Sequence, residues 1–268
     1  STWRENKKPD KFMKSHSLPL TVENFLLTFK EYFTVWLNQI LYYNHVYEQL
    51  TFDQFKSFDL IIYKNRNPQL QGYIEQLIVN VINQLIINQK QSQSKQRQKQ
   101  KKQQETFNGL YGINCLVYHS TNNTVVRQYT INFHEFIINL NETINELKLH
   151  DKDEDNSAII NIESLNWDEI YTQYSTILFH HIQQLKIHEK SLIEERQQDL
   201  EVDDLFFKIT VDVDQLLYIN NYGNWVRLKR DGNRDNDSRD NETQCIFEPI
   251  GDVNLELLNF NCYNKVFT

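Results

Sequence analysis

The sequence predicts an α+β domain in which three helices pack on one face of an antiparallel sheet. Three observations carry this. Three long stretches repeat apolar residues at helical spacing. Stretches near 113–117, 125–133 and 205–213 alternate apolar and polar residues, as half-buried strands do. No linker splits the 268 residues into two cores, and no internal repeat is visible.

Residues 1–19 read as a loose polar arm, bracketed by Pro9 and Pro19. Thr21 suits the N-cap of a long helix, from about Val22 to Glu48. Its apolar positions Val22, Phe25, Leu26, Phe29, Phe33, Trp36, Leu37, Ile40 and Leu41 follow a turn of 3.6 residues, while Val35, Tyr42 and Tyr43 lie off that stripe. A helix apolar on nearly every side belongs at the centre of a domain. A short extended piece is expected around Asp59–Tyr63. Asn67-Pro68 then reads as N-cap and first helical residue. The stripe Tyr73, Ile74, Leu77, Ile78, Val81, Ile82, Leu85 carries that second helix to about Asn88. Spacing alone puts Tyr73 in the core.

The Lys/Gln run at 89–106 is expected to be a solvated loop. Ile113, Cys115 and Val117 alternate, as do Val125, Tyr129, Ile131 and Phe133, with Thr121-Asn122-Asn123 as the turn between two strands. Asp151–Asp155 is an acidic loop. A third helix, from about Trp167 to Glu194, buries Ile170, Tyr174, Ile177, Leu178 and Leu185. Leu205, Phe207, Ile209, Val211 and Val213 alternate with Lys208, Thr210 and Asp212, a strand with one buried face. A charged loop, Arg227–Glu242, precedes strand-like pieces in Cys245–Phe267.

Composition narrows the function. The net charge is −8, which disfavours holding nucleic acid by bulk electrostatics. The basic run Lys90, Lys95, Arg97, Lys99, Lys101 and Lys102 has no interleaved aromatic for base stacking. Cys115, Cys245 and Cys262 are scattered and odd in number, which fits a reducing compartment. No run of 18 apolar residues exists, and Ser1–Ser17 carries no signal-peptide core. The heavy use of Asn and Gln, with Ala158 the only alanine, reads as an AT-rich genome. No enzyme signal rises above background. Gly109 and Gly112 lack the Lys-Ser/Thr of a phosphate loop. His180, His181 and His188 share a helix without HExxH spacing and read as partly exposed, and no CxxC occurs. No cofactor and no metal are expected. A sheet with a free edge accepts an extended peptide as an added strand, and 205–213 offers such an edge.

Two stretches add to this reading. Ile40-Leu41-Tyr42-Tyr43-Asn44-His45-Val46-Tyr47 is a helix-end pattern, and Asn65-Arg66-Asn67-Pro68-Gln69-Leu70-Gln71-Gly72-Tyr73-Ile74-Glu75-Gln76-Leu77 is a helix start. Together, at this separation, they resemble the HORMA-domain accessory subunit of DNA polymerase zeta in its fungal forms. Asn224-Trp225-Val226 is similar to the family's tryptophan at the start of its C-terminal segment. The family usually has proline after Val-Tyr, where this chain has Glu48, and the third helix lacks the arginine of the animal relatives' dimer contact.

The resemblance implies a HORMA domain over 20–268, after the arm at 1–19, with loop insertions at 89–106 and 227–242 and a safety belt over 222–268. It implies a non-catalytic adaptor of translesion synthesis, nuclear, clamping a proline-bearing peptide of the catalytic subunit under the belt. Tyr73, Trp225, Leu70, Leu77, Ile209 and Val211 are the peptide-binding candidates. Ile246, Leu255, Leu257 and Phe260 are the candidates for contact with a scaffold translesion polymerase. A second copy of the chain within the complex is a further implied partner. DNA is reached only indirectly, and no membrane is involved. Two alternatives stay open: a HORMA adaptor of the spindle checkpoint or meiotic chromosome axis, and an enzyme whose site is assembled from scattered residues.

Overall fold

The computed structural model describes residues 19–96, 110–136, 165–198, 204–213 and 244–267. The arm at 1–18, the acidic loop, the Arg227–Glu242 loop and Trp225 lie outside them. Helix α1, Val22–Tyr43, starts where Thr21 accepts a hydrogen bond from the Asn24 amide at 3.1 Å. It ends short of Glu48. Asn44 caps it through backbone and side-chain bonds to the Ile40 carbonyl, and His45 turns into the left-handed region at φ 52°. Residues all round α1 are buried, so it is the central helix the sequence predicts.

The expected extended piece is one half of a hairpin, β1 (Phe52–Ser57) with β2 (Leu60–Asn65). Its turn residues, Phe58 and Asp59, have φ of 48° and 58°. Such a turn normally calls for Asn or Gly. Here burial stabilises it: Phe58 packs on Tyr171 and Tyr174, and Ser175 donates to its carbonyl at 2.8 Å. The hairpin also satisfies polar groups buried on α1. Gln39 donates to the Tyr63 carbonyl at 2.8 Å and accepts from the Tyr63 amide at 3.1 Å.

Helix α2, Pro68–Gln96, begins as predicted, with Asn67 Oδ1 accepting from the Gln69 amide at 2.9 Å. It continues past Asn88, so the first part of the Lys/Gln run is helical rather than loop. Lys and Gln are good helix formers, and here they extend an established helix. Helix α3, Trp167–Gln198, buries all five residues the spacing names.

The main sheet contains β3 (Leu110–His119), β4 (Val125–Phe136), β5 (Leu205–Val213), β6 (Cys245–Leu255) and β7 (Leu258–Phe267). Every neighbouring pair is antiparallel, in the order β5-β3-β4-β7-β6. Among the described strands, β5 and β6, successive in the chain, therefore lie at opposite edges of the sheet. At the centre Phe29, Tyr32, Phe133, Tyr174 and Phe260 form one aromatic cluster, with Tyr32 and Tyr174 stacked at 4.7 Å between centroids.

Candidate functional site

Two places concentrate features that packing alone does not require. The first is the outer edge of β5. No strand pairs with it among the described residues. Toward the helices it presents Leu205, Phe207, Ile209, Val211 and Val213, of which only Leu205 is fully buried. An interior strand would bury that row. Two aromatics stand over it. The Tyr73 ring of α2 meets Phe207 edge-on at 6.3 Å, and Tyr47, just beyond α1, meets it at 6.4 Å. Tyr73 is 47% exposed, so the core placement that spacing gives it is corrected. It lies at the border of the α2 stripe, above an edge strand that ends the layer. Leu70 and Leu77, one turn to either side of it on α2, are buried. Burial raises the pKa of the Tyr47 and Tyr73 hydroxyls, so both remain neutral donors at physiological pH.

The second place is a buried polar relay behind the C-terminal hairpin. Arg127 Nη1 donates to Asn44 Oδ1 at 3.0 Å, and Nη2 to the His188 carbonyl at 3.2 Å. Asn44 Nδ2 donates to the Tyr129 hydroxyl oxygen at 2.9 Å. That hydroxyl lies 2.9 Å from His188 Nδ1, and His188 Nε2 lies 2.8 Å from Glu248 Oε2. Donation can run in one direction, from guanidinium through amide, phenol and imidazole to the accepting carboxylate, although the Tyr129 hydroxyl is also placed to donate back to Asn44 Oδ1 at 3.1 Å. That order fits a neutral His188 protonated at Nε2. Burial lowers the His188 pKa, and the Glu248 carboxylate opposes that shift. Nearby, Glu189 of α3 accepts from Gln49 at 2.6 Å and pairs with His45 at 2.8 Å. Thus the Asn44-His45 step of the helix-end pattern is fixed to α3 and the sheet.

The histidines of α3 are therefore not all partly exposed. His180 is, but His181 and His188 are buried, 1% and 4% exposed. The 3.6-residue turn carries both toward the core, between Trp36 and Tyr129 for His181. Burial lowers the His181 pKa to about 3, opposed in part by a polar contact with the Trp36 backbone. A histidine that binds its proton more readily when unfolded makes the fold lose stability as pH falls below the unfolded value of about 6.5. Thermal unfolding followed from about pH 7.5 to about pH 4.5 should show that loss, and His181→Leu should flatten the curve.

Among the scaffold candidates, Leu255, Leu257 and Phe260 are each 1% exposed. They point into the core from the β6–β7 hairpin, so a partner cannot reach them, and that expectation is corrected. Ile246 is different: it is 56% exposed, as is its neighbour Phe247. Phe247 packs on Tyr263 at 4.9 Å. Alternation identifies these strands, but a register of one residue decides which face each side chain takes. Ile209 and Val211 are half-buried on the β5 edge.

Sequence reasoning misses Arg127, Tyr129, Glu248 and Asn44 as a group. One signal is present: Arg127 occupies an inward position of an alternating strand. A buried charge in that pattern requires partners. Among the described residues, no group of three or more His, Cys, Asp or Glu is placed to hold a metal ion, and no helix is long and apolar enough to cross a membrane.

No family model matches the chain, and no curated protein matches its sequence. Solved structures do. A chain in the crystal structure of a mitotic checkpoint complex is similar with a TM-score of 0.54 at 9% identity, over 91% of this chain and 98% of that one. C. elegans HTP-2, solved bound to the HIM-3 closure motif, gives a TM-score of 0.50 at 10% identity, over 93% of each chain. A second crystal form of that complex gives 0.50 at 11% identity, over 94% and 93%. At such identities the likeness is one of fold. Three helices on an antiparallel sheet, closed at its far edge by a C-terminal hairpin, give this chain the HORMA-domain fold.

Proposed function

We propose that the chain is a non-catalytic adaptor that captures an extended peptide of a partner protein as an added strand on β5. The observation that carries this is the β5 edge, unpaired among the described residues, whose half-buried apolar row lies beneath the exposed Tyr73. Main-chain hydrogen bonds along the edge supply affinity, and the Tyr47, Phe207 and Tyr73 rings select side chains. Leu70 and Leu77 hold the α2 wall, and Ile209 and Val211 form the floor. The structure of HTP-2 bound to a closure motif supports peptide capture by this fold.

In the finer reading, the partner is the catalytic subunit of DNA polymerase zeta. The helix-end and helix-start motifs and Trp225 support that branch. Of the belt expected over 222–268, Cys245–Phe267 is the hairpin at the edge opposite β5, so in this reading only the part before Cys245 serves as belt over the peptide. The adaptor works in the nucleus in DNA damage tolerance. Contact with a scaffold translesion polymerase falls to the exposed Ile246 and Phe247 of β6, since Leu255, Leu257 and Phe260 are buried. DNA is reached through the polymerase. A second reading, an adaptor of the spindle checkpoint or meiotic chromosome axis, is compatible with the same fold.

An affinity pull-down read by mass spectrometry separates the two. Wild-type protein should recover a polymerase catalytic subunit, and the Tyr73→Ala/Trp225→Ala variant should lose it. Recovery of a checkpoint or axis protein, with no polymerase, would overturn the polymerase reading.

A further inference from the structure

The two halves of β6 are fastened differently. The second half is rooted in the body. Val253 and Leu255 are buried, and the Gln173 side chain clamps the Asn254 backbone, donating to its carbonyl at 2.9 Å and accepting from its amide at 2.7 Å. At Gly251, with φ 150°, an added Cβ would come within 2.6 Å of Ile177 Cδ1, so strand and helix touch there. β7 is rooted more deeply still, through Leu258, Phe260 and Cys262.

The first half, Cys245–Pro249, pairs with Tyr263–Phe267 of β7 and rests Phe247 on Tyr263, but none of its residues is fully buried. It runs along a sheet edge, and Cys245, Ile246, Phe247 and Pro249 are exposed. Pro249 carries no amide hydrogen to donate, and the register with β7 shifts between Pro249 and Gly251. Glu248 is the residue of this half that faces α3. Its Oε1 accepts from Gln184 Nε2 at 2.9 Å and its Oε2 from His188 Nε2 at 2.8 Å. Gln173, Ile177, Gln184 and His188 are spaced by four, seven and four residues, so one face of α3 meets β6 along its length. Behind His188 stand two residues of β4: Tyr129 holds the imidazole, and Arg127 holds the His188 carbonyl.

We propose that Glu248 is a latch: beyond the pairing with β7, its two bonds fasten Cys245–Pro249 to α3, and their loss lets this half-strand open readily while the rest of the hairpin stays. Cys245 is the first residue of β6, at the edge opposite β5. The latch therefore sets how firmly the start of β6 is fixed, and this goes beyond the peptide-binding reading without depending on it.

Hydrogen exchange of the full chain, read by mass spectrometry, tests it. Glu248→Ala should speed exchange across 245–250 by about tenfold or more, with 113–117 and 258–264 changed by less than about twofold. Gln184→Ala, a milder change at a half-buried residue, should shift the same segment in the same direction. Unchanged exchange at 245–250 in both variants would overturn the latch. So would an equal rise throughout β3, β4 and β7, which would make Glu248 a part of global stability.

Discussion

Phe260→Ala should destabilise the protein by about 3–5 kcal/mol. The ring touches Phe29, Tyr32, Phe133 and Tyr174 and is 1% exposed. Truncation leaves a cavity at the meeting point of α1, α3 and the sheet, where rigid aromatic walls cannot collapse to fill it. Since a whole domain is stable by only about 5–15 kcal/mol, the variant should unfold at markedly lower denaturant. Ile246→Ala is the control. Its side chain is 56% exposed, so its cost should stay within about 0.5 kcal/mol. Equilibrium urea unfolding of both variants measures the contrast. A small loss for Phe260→Ala would mean that the hairpin is not rooted in the core as described.

The second large effect concerns binding. Tyr73→Ala and Phe207→Ala should each weaken capture of the partner peptide by about 2 kcal/mol or more, roughly thirtyfold. Tyr73 is half-exposed and Phe207 half-buried, at the open edge of the sheet, so the stability cost should be modest. The two rings touch, and a double-mutant cycle should therefore show coupling. Surface-bound peptide dissociation measures this, with the loss expected mainly in the off-rate. Equal binding by wild type and the double variant would remove both rings from the site.

Local chemistry makes much of the fold legible. The Thr21 and Asn67 caps act within three residues, and the strand alternations follow from a two-residue period. β1 escapes such reading because Phe52-Asp53-Gln54-Phe55-Lys56-Ser57 has no β-branched residue. Its turn also uses Phe58 and Asp59, whose left-handed backbone is stabilised by distant burial on α3. Periodicity places the end of α1 too late because Asn44 is a cap whose side chain is fixed by Arg127 and Tyr129, more than eighty residues away. The relay is illegible for the same reason: each link joins separate elements. On the binding side, the β5 alternation is visible, but its position at an edge is not. That depends on strand order, which the C-terminal hairpin settles by taking the opposite side.

The central claim is that β5 takes an added strand. Hydrogen exchange of the β5 amides, with and without the captured partner peptide, tests it most directly. Strand addition predicts slowing by about tenfold or more within Leu205–Val213, with β6 unchanged. Unchanged exchange along β5, or protection confined to β6, would contradict the account.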